Sequence, residues 1–427
     1  MELKKYNANH TQVLKINQIV RTISETHKFD KDKLIAINTS DVENGVMGNG
    51  TLTFVDELKG QFKKTIVKDD ILLSEIGPAN RRFAKVTTKN TKDYVVSTKL
   101  MVLRKYNEDV DLEYFYYCLT NQPFLDILQR RAENRIGSFP QITFDLLSEY
   151  AFPIPPISEQ KRISSVISTL DKKIALNRQI NQNLEAMAKQ LYDYWFVQFD
   201  FPNENGRPYK SFGGKMVWNE KQRKYIPEYW EVKSLSNWLE IKSGFPFKSE
   251  TYKPIGRYKI ITIKNVQDGE LVTSGCDYVN DIPSRAKDYI SLQIGDRLIS
   301  LTGNCGRLCV VCEENLLLNQ RVGLLCCDAI YLEYFYNFLN SGTMRTVIDN
   351  LANGAAQANL SPVELCKTDC FIPPIDILLS YNRKVNAIRK AIVQNNQEIS
   401  QLAKQRDELL PLLMNGQVSV NSDLSDD

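Results

Sequence analysis

Histidine, excess charge of either sign and long apolar runs are all scarce in this sequence. Only two of its 427 residues are histidines, His10 and His27, which disfavours catalysis by histidine. Lys and Arg outnumber Asp and Glu by only three (54 against 51), so any basic surface must be local, and tight binding to nucleic acid would need partners that add positive charge. No apolar run approaches the roughly 18 residues that span a bilayer, and the opening MELKKYNANH has no apolar segment of the signal-peptide type. We therefore expect a cytoplasmic protein without membrane contact.

Recognisable catalytic motifs are also missing. The sequence contains neither GxxxxGK[ST] nor GxGxxG, and it lacks the Asn/Asp-Pro-Pro-aromatic tetrapeptide of amino-methyltransferases. Its two Pro-Pro pairs follow Ile154 and Ile372 and instead precede helical patterns. No nuclease-like carboxylate cluster stands out, so we predict no catalytic residue and no cofactor bound by this chain.

The nine cysteines, an odd number, fit free thiols in a reducing compartment. Cys309-Val-Val-Cys312 has the CxxC spacing that could open a zinc site. It lies in an apolar, strand-like run, and the corresponding stretch of the first half, residues 81–86, has no cysteine. We therefore expect buried thiols and no metal, with a zinc site as the alternative.

An internal repeat is the main feature that is present. Four segments of the first half recur in the same order in the second half, at separations that drift as loop insertions would cause. They are LEYFY at Leu112–Tyr116 and Leu332–Tyr336 (332 − 112 = 220), PIPP at 153 and FIPP at 371 (218), INTSDVENG at 37 and ITIKNVQDG at 261 (224), and DDILLSEIGPANRR at 69 and GDRLISLTGNCGRL at 295 (226). The chain is therefore one unit used twice.

The first part of each unit has a mixed α/β pattern. Short β-rich runs, such as 71–76, 95–103 and 297–302, are separated by Gly, Asn and Asp. The two LEYFY segments predict helices whose aromatic side chains pack in the core, although a role in stacking on nucleic-acid bases is an alternative.

The second part of each unit predicts a long helix. Apolar residues recur at alternating steps of four and three, the 3.5-residue period of a coiled-coil seam. The first seam comprises Ile163, Ile167, Leu170, Ile174, Asn177, Asn181, Leu184, Ala188, Leu191 and Trp195, and the second comprises Leu378, Tyr381, Val385, Ile388, Ile392, Asn395, Ile399, Leu402, Arg406, Leu409 and Leu413. From Ile167 and Val385 onward the two seams match position by position at a separation of 218, and Asn177 and Asn395 are equivalent.

Two matching seams predict that the helices pair with each other, and chain connectivity favours an antiparallel pair. Packing of each helix on its own domain or on another protein is the alternative. The expected fold is α+β: two similar mixed α/β domains separated by a long antiparallel two-helix coiled coil, with a pseudo-two-fold internal repeat. The predicted boundaries are 1–157 for the first domain, 158–198 for the first helix, 199–232 for a linker, 233–375 for the second domain, 376–415 for the second helix and 416–427 for a disordered acidic tail.

Several of these segments resemble a known family. PIPPISEQKRI from residue 153, the helix that follows it, DFPNENGRPYKSFGGKMV from residue 200 and the echo FIPPID from residue 371 are similar to the conserved regions of type I restriction–modification specificity subunits. The second copy departs from the pattern, since FIPPIDILLSYN replaces the SEQ-type helix start. The resemblance extends over essentially the whole chain.

The resemblance implies the following expectations. Each domain is a target-recognition domain that reads one half of a bipartite, asymmetric site in double-stranded DNA. The helices set the spacer and dock two modification (methyltransferase) subunits, which carry S-adenosylmethionine and methylate adenine. Restriction (motor-nuclease) subunits complete the complex. A coiled-coil adaptor without DNA readout, or a nuclease with an unrecognised site, are the alternatives.

Candidate DNA contacts are basic and amide side chains in loops that follow strands, because these groups serve both phosphate and base contacts. Arg81 and Arg307, which match at a separation of 226, are the first candidates, and solvated loop charge is the alternative. The full set is Asn80, Arg81, Arg82, Lys85, Arg130, Arg131, Arg135, Gln141, Asn304, Arg307, Arg345, Gln357 and Asn359, with Lys63, Lys64, Lys242, Lys248 and Lys264 on weaker grounds. For Arg130 and Arg131 the solvated face of a helix is the alternative. Candidate partner contacts on outward helix faces are Lys161, Arg162, Lys172, Lys173, Tyr192, Arg383, Arg389 and Lys390.

Overall fold

The structure is a computed structural model that describes residues 11–58, 60–133, 141–352, 358–414 and 417–418. The chain forms two compact units. The first unit comprises Met1–Lys172 and Leu402–Asp427, and the second comprises Lys173–Gln401. Two long helices each contribute one part to the first unit and the other part to the second.

The described residues of the first unit form twelve short strands and three helices before the first long helix. The strands are β1 (Gln12–Lys15), β2 (Val20–Thr22), β3 (Lys33–Ile37), β4 (Val42–Glu43), β5 (Val46–Met47), β6 (Thr51–Phe54), β7 (Phe62–Lys64), β8 (Ile71–Ser74), β9 (Phe83–Lys85), β10 (Tyr94–Ser97), β11 (Leu100–Lys105) and β12 (Ala151–Ile154). The helices are α1 (Leu112–Thr120), α2 (Gln122–Glu133) and α3 (Phe144–Ser148), followed by the long α4 (Ile157–Tyr192).

The second unit has a similar series of elements, preceded by a hairpin that has no counterpart among the described residues of the first unit. Its strands are β13 (Met216–Asn219), β14 (Lys224–Pro227), β15 (Glu231–Ser234), β16 (Glu240–Ser243), β17 (Tyr258–Ile261), β18 (Tyr278–Val279), β19 (Ser291–Leu292), β20 (Arg297–Ser300), β21 (Leu308–Val310), β22 (Leu316–Leu318), β23 (Val322–Cys326) and β24 (Asp369–Ile372). Its helices are α5 (Ala329–Leu339), α6 (Gly342–Leu351) and α7 (Pro362–Cys366), followed by the long α8 (Ile375–Met414).

The two units have the same sheet topology. One four-stranded sheet has the order β2-β11-β8-β9 in the first unit and β16-β23-β20-β21 in the second, and all of its neighbours are antiparallel. The other has the order β6-β3-β10-β7 and β18-β17-β22-β19, with one parallel pair in each, β3/β10 and β17/β22. Equal strand order and equal direction confirm that the sequence repeat is a structural duplication, and the fold is α+β.

Each globular part is closed by a two-stranded clasp. In the first unit β1 pairs antiparallel with β12, so that Lys15 faces Ala151. In the second unit β15 pairs antiparallel with β24, so that Ser234 faces Asp369. The strand that leads into each globular part therefore lies beside the strand that leads out of it to the long helix.

The LEYFY helices lie in the core, as the sequence predicts. In α1 and α5 the aromatic side chains at positions 114–116 and 334–336 are buried. The Tyr114 hydroxyl donates to the Pro153 carbonyl at 2.9 Å, and the Tyr334 hydroxyl donates to the equivalent Phe371 carbonyl. These rings pack inside the core, so a role in base stacking is excluded for them.

The two long helices contact each other along the predicted seams. All 21 seam positions are buried or half-buried. In the first unit Arg406 of α8 donates to Asp171 of α4 at 2.9 Å. In the second unit Asn177 donates to Glu398 at 2.8 Å, and the Trp195 ring lies 5.7 Å from that of Tyr381. Residue numbers rise along α4 as they fall along α8, so the helices are antiparallel.

Helix burial contradicts two predicted partner contacts. Tyr192 is buried in the aromatic core of the second unit, with its ring 5.7 Å from that of Tyr334. Arg389 is buried in an ion-pair network with Glu333 and Glu185. Both residues lie next to a seam position, and groups on α5 cover that flank of the helix pair. The other candidates on these helices are exposed or half-buried.

Candidate nucleic-acid interface

The loop between β8 and β9 carries the first candidate residues. Gly77 begins the loop in the left-handed region (φ +58°), a short helical turn spans Pro78–Asn80, and Arg81 ends it with φ +54°. The backbone of Ala79 donates to Gln129 on α2 at 3.2 Å. The loop is thus fixed against α2 and presents Asn80 as its exposed tip.

Arg81 is held by two amide side chains. Its Nε donates to Asn44 Oδ1 at 2.6 Å, and its Nη1 donates to Gln122 Oε1 at 2.5 Å. The guanidinium lies 5.5 Å from the centroid of the Phe83 ring. Burial, with a smaller effect of the nearby Arg406 charge, lowers the pKa of Arg81 from its usual value, but the group stays a cation at neutral pH.

The neighbouring cations are compensated by carboxylates. Arg82 pairs with Glu43 at 3.3 Å, and Lys85 pairs with Glu113, the glutamate of the first LEYFY segment. Burial lowers the pKa of the Lys85 amine. These two candidates therefore bring less net positive potential to the surface than Arg81 does.

The structure corrects the alignment of the equivalent loop in the second unit. The backbone N–H of Ser74 donates to the Arg82 carbonyl at 2.8 Å, and the backbone N–H of the equivalent Ser300 donates to the Arg307 carbonyl at 2.9 Å. Arg307 is therefore the equivalent of Arg82 and not of Arg81. The equivalent of Arg81 is Gly306, which is also left-handed (φ +79°). The second loop is one residue shorter, so the predicted match of Arg81 with Arg307 is wrong.

A cavity of about 250 Å³ lies beside the loop of the second unit. Asn304, Arg307 and Arg345 line it together with Asp349 and backbone of the loop. Arg307 Nη1 donates to Gln267 Oε1 at 2.5 Å, and Arg345 pairs with Asp268 at 3.7 Å. Three predicted DNA contacts, two of them cations, therefore converge on one concave surface.

In both units a second candidate segment lies at the base of the loop. Gln141 forms a β-bridge with Ile76, and Asn359 forms the equivalent bridge with Thr302. The Gln141 amide group donates to Glu75 at 3.1 Å, and the Asn359 side chain accepts from Thr302 at 3.2 Å. The two candidate segments of each unit, which are separate in sequence, thus form one surface.

The remaining candidates are dispersed. Arg130 and Arg131 are exposed on α2, and Lys63, Lys248 and Lys264 are exposed elsewhere. Lys64 donates to the Leu100 carbonyl at 2.7 Å and Lys242 pairs with Glu240 at 3.4 Å. Arg135 and Gln357 lie outside the described residues.

The sequence did not predict the neutral side chains that accept hydrogen bonds from Arg81 and Arg307. Asn44, Gln122 and Gln267 carry no charge, and only the repeat of ENG at 43–45 as QDG at 267–269 marks two of them. Cys309, by contrast, is buried in β21 with Cys312 close behind it, as free thiols. Among the residues that the structure describes, no group of three or more His, Cys, Asp or Glu side chains is placed to hold a metal ion, and no helix is long and apolar enough to cross a membrane.

Known proteins resemble this chain over most of its length. The family model for the type I restriction modification DNA specificity domain matches residues 10–186. The type I restriction enzyme HindI specificity subunit of Haemophilus influenzae is 29% identical over 94% of this chain and 98% of its own. The type I restriction enzyme MjaIX specificity subunit of Methanocaldococcus jannaschii is 26% identical over 72% of this chain and 69% of its own.

A solved structure shares the fold. The crystal structure of the type I restriction-modification system S subunit from M. genitalium has a TM-score of 0.50 and 16% identity, and the match covers 96% of this chain and 98% of the other. The family model and these relatives agree in their descriptions, and the solved structure supports the fold. Along most of its length this chain is similar to specificity subunits of type I restriction–modification systems.

Proposed function

We propose that this chain selects a bipartite DNA sequence for a type I restriction–modification complex and catalyses no reaction itself. The observation that carries the proposal is the surface built twice, once in each unit, from the β8–β9 or β20–β21 loop and the segment bridged to its base. Loops on a rigid sheet, with arginine and amide groups at their tips, are suited to reading base edges and contacting phosphates.

The two surfaces differ chemically, so the two half-sites should differ as well. The first unit presents Asn80, Arg81 and Arg82, and the second presents Asn304, Arg307 and Arg345 around a cavity. We propose that each of these residues contacts DNA. An asymmetric target follows, because equal folds with unequal side chains read unequal sequences.

In this proposal the antiparallel helices act as the spacer between the target-recognition domains and as the docking site for two methyltransferase subunits. A second heptad stripe, distinct from the seam, supports the docking role. Leu176, Ile180 and Met187 lie on α4 and Tyr194 lies in the helical turn that directly follows it, at steps of four and seven, and all four are exposed. An exposed apolar stripe of this period fits a helix of a partner. The methyltransferase subunits would carry S-adenosylmethionine, and restriction subunits would complete the assembly.

The function is tested by mapping methylated adenines in the genome of cells that express the complex, with and without this chain. We expect a two-part motif with a fixed spacer that disappears when the chain is deleted. Unchanged methylation after deletion would contradict DNA selection and would favour an adaptor without readout.

A domain exchange within the chain sharpens this test. Residues 16–150 are replaced by residues 235–368, which preserves both clasps. We expect the asymmetric motif to become one with two identical, inverted half-sites and an unchanged spacer. A motif with the first half-site unaltered would show that this part of the chain does not read DNA.

The spacer role is tested by lengthening both helices. Insertion of one heptad between Asn177 and Asn181, with a second heptad between Ile392 and Ile399, adds about 10 Å to each helix. We expect the unread spacer to grow by about three base pairs, since successive base pairs are about 3.4 Å apart. A variant complex that methylates with the original spacer would contradict this role.

A further inference from the structure

We propose that Arg81 specifies one guanine in the half-site read by the first unit and that the second unit has no equivalent of it. This inference rests on the proposed function and adds the residue and the base. It comes from the backbone, the hydrogen bonds and the charge balance of one side chain.

The backbone of Arg81 adopts a conformation that a non-glycine residue rarely adopts. Its φ is +54°, and the second unit has a glycine, Gly306, at this place. Asn44, which contacts Arg81, is also left-handed, with φ +47°. The backbone N–H of Asn44 donates to the Arg81 carbonyl at 2.9 Å, and the Arg81 Nε donates to the side-chain oxygen of Asn44. Asn44 belongs to the Asn-Gly turn between β4 and β5, where a positive φ is ordinary, so the unusual backbone is that of Arg81. A non-glycine residue held in this conformation by its neighbours is typical of functional sites.

The guanidinium is oriented without being neutralised. Asn44 and Gln122 each accept one N–H, and both are neutral. Arg82 and Arg104, by comparison, pair with Glu43 and Asp70. Among the described residues no carboxylate forms an ion pair with Arg81 and none accepts a hydrogen bond from its Nη2. Three of its five N–H groups therefore remain for a ligand, and the positive charge is not cancelled by direct contact.

This arrangement matches guanine better than phosphate. Guanine presents O6 and N7 side by side in the major groove, and an arginine fork donates to both in one plane. A phosphate contact needs charge but not a fixed plane, and a flexible lysine serves it as well. The two amide contacts and the Phe83 ring beneath the guanidinium fix that plane.

The second unit cannot carry the same residue at this place. A Cβ on Gly306 would lie 2.7 Å from the Ile348 Cγ2, and the backbone there has φ +79°. The nearby cations of that unit, Arg307 and Arg345, come from other positions. The guanine contact therefore belongs to one half-site only.

The test uses the complete methyltransferase complex and the base preference at every position of the methylated motif. Arg81→Lys keeps the charge, and Arg81→Gly keeps the left-handed backbone, so the two variants separate base reading from charge and from folding. We expect both to lose roughly 5- to 150-fold of the preference for guanine at a single position of the first half-site, the loss of one bidentate contact. The second half-site should not change. Arg21→Ala, an exposed arginine on β2 of the same unit, is the matched control and should leave the motif unaltered.

Full retention of the guanine preference by Arg81→Lys would overturn the inference, because charge alone would then suffice. A wild-type motif without guanine in the first half-site would also overturn it. Absence of any bipartite motif in the wild-type complex would instead contradict the proposed function, so the two failures are distinguishable.

Discussion

Arg389 on α8 donates to Glu333 on α5 through both Nε (3.3 Å) and Nη2 (3.2 Å), and both side chains are only 5% exposed. Glu333 also pairs with Arg297 at the start of β20, and Arg389 also pairs with Glu185 on α4. The Arg389 guanidinium lies 4.5 Å from the centroid of the Tyr336 ring. This buried network links both long helices to α5 and to β20, the strand that leads into the β20–β21 loop.

Replacing Arg389 with methionine should strongly destabilise the second unit. The change leaves Glu333 and Glu185 buried with less compensation, and breaking a buried ion pair typically costs about 3–5 kcal/mol. Urea unfolding followed by tryptophan fluorescence measures the effect. Arg383→Met, at an exposed position of the same helix, should change the free energy of unfolding by less than about 0.5 kcal/mol. Equal stability of the two variants would show that the network contributes nothing.

Glu333 should make the stability of the protein depend on pH in the acid range. Burial alone would raise its pKa, but the charges of Arg389 and Arg297 outweigh burial and lower it. The unfolded carboxyl, with a pKa of about 4.3, then takes up protons before the folded one. Its contribution to stability is complete above that pKa and is lost as the pH falls through the lower, folded value.

Unfolding free energies measured between pH 3 and 7 for the wild type and for Glu333→Gln isolate this contribution. The difference between the two proteins should narrow as the pH falls below about 4.3. Glu185 acts in the opposite direction, since burial and, to a smaller extent, the charge of Glu333 raise its pKa. Because its titration therefore changes when Glu333 is replaced, the same comparison in a Glu185→Gln background removes its contribution. A difference that is constant over the whole range would contradict the lowered pKa of Glu333.

Asn181 should stabilise the helix pair although it is a polar residue in the seam. Its amide donates to Asn396 at 2.7 Å, and its carbonyl accepts from Asn395 at 2.9 Å. Asn181→Ala leaves two amide groups of α8 without these partners, and each lost hydrogen bond with a buried partner costs about 1–3 kcal/mol. Thermal unfolding should show the loss, and Asn183→Ala, on the exposed face of α4, should not reproduce it.

The thiols of Cys309 and Cys312 should react slowly in the folded protein. Burial raises the pKa of Cys309 well above its usual range and that of Cys312 to about 12, so the reactive thiolate is scarce and inaccessible. Alkylation at pH 8 with mass-spectrometric readout should modify both only after denaturation. Co-purification of about one zinc ion per chain, released as these two thiols become reactive, would support the alternative of a metal site.

Periodicity and repetition carried the predictions that the structure confirms. The 3.5-residue seam and the buried LEYFY aromatics depend on apolar residues at regular local spacing, and the duplicated topology depends on four segments in the same order. A helix that packs along its whole length needs an apolar residue at each turn, so the spacing of these residues is regular. Such local patterns can be recognised in a single sequence without knowledge of distant contacts.

The rest depended on contacts between residues far apart in the chain. Arg389 lies beside the seam position Ile388 and is charged, so the sequence predicts an exposed side chain. Its burial depends on the contact with Glu333, which is 56 positions away in the chain. The alignment of Arg81 with Arg307 failed because the second loop is one residue shorter and the first loop has two adjacent arginines, so a constant separation of 226 selects Arg81 instead of Arg82. Only hydrogen bonds of the hairpin, through Ser74 and Ser300, assign Arg307 to Arg82.

The clasps formed by β1 with β12 and by β15 with β24 have a consequence for inheritance. Because the chain enters and leaves each globular part through neighbouring strands, two recombination points in the gene, one in each clasp strand, delimit a cassette. A foreign cassette fits the unchanged long helices if it keeps the clasp and the side chains that contact those helices, such as Glu333 and Tyr334 in the second unit. Under the proposed function, a single exchange of genetic material would therefore give a new target sequence, while the partner subunits are inherited unchanged.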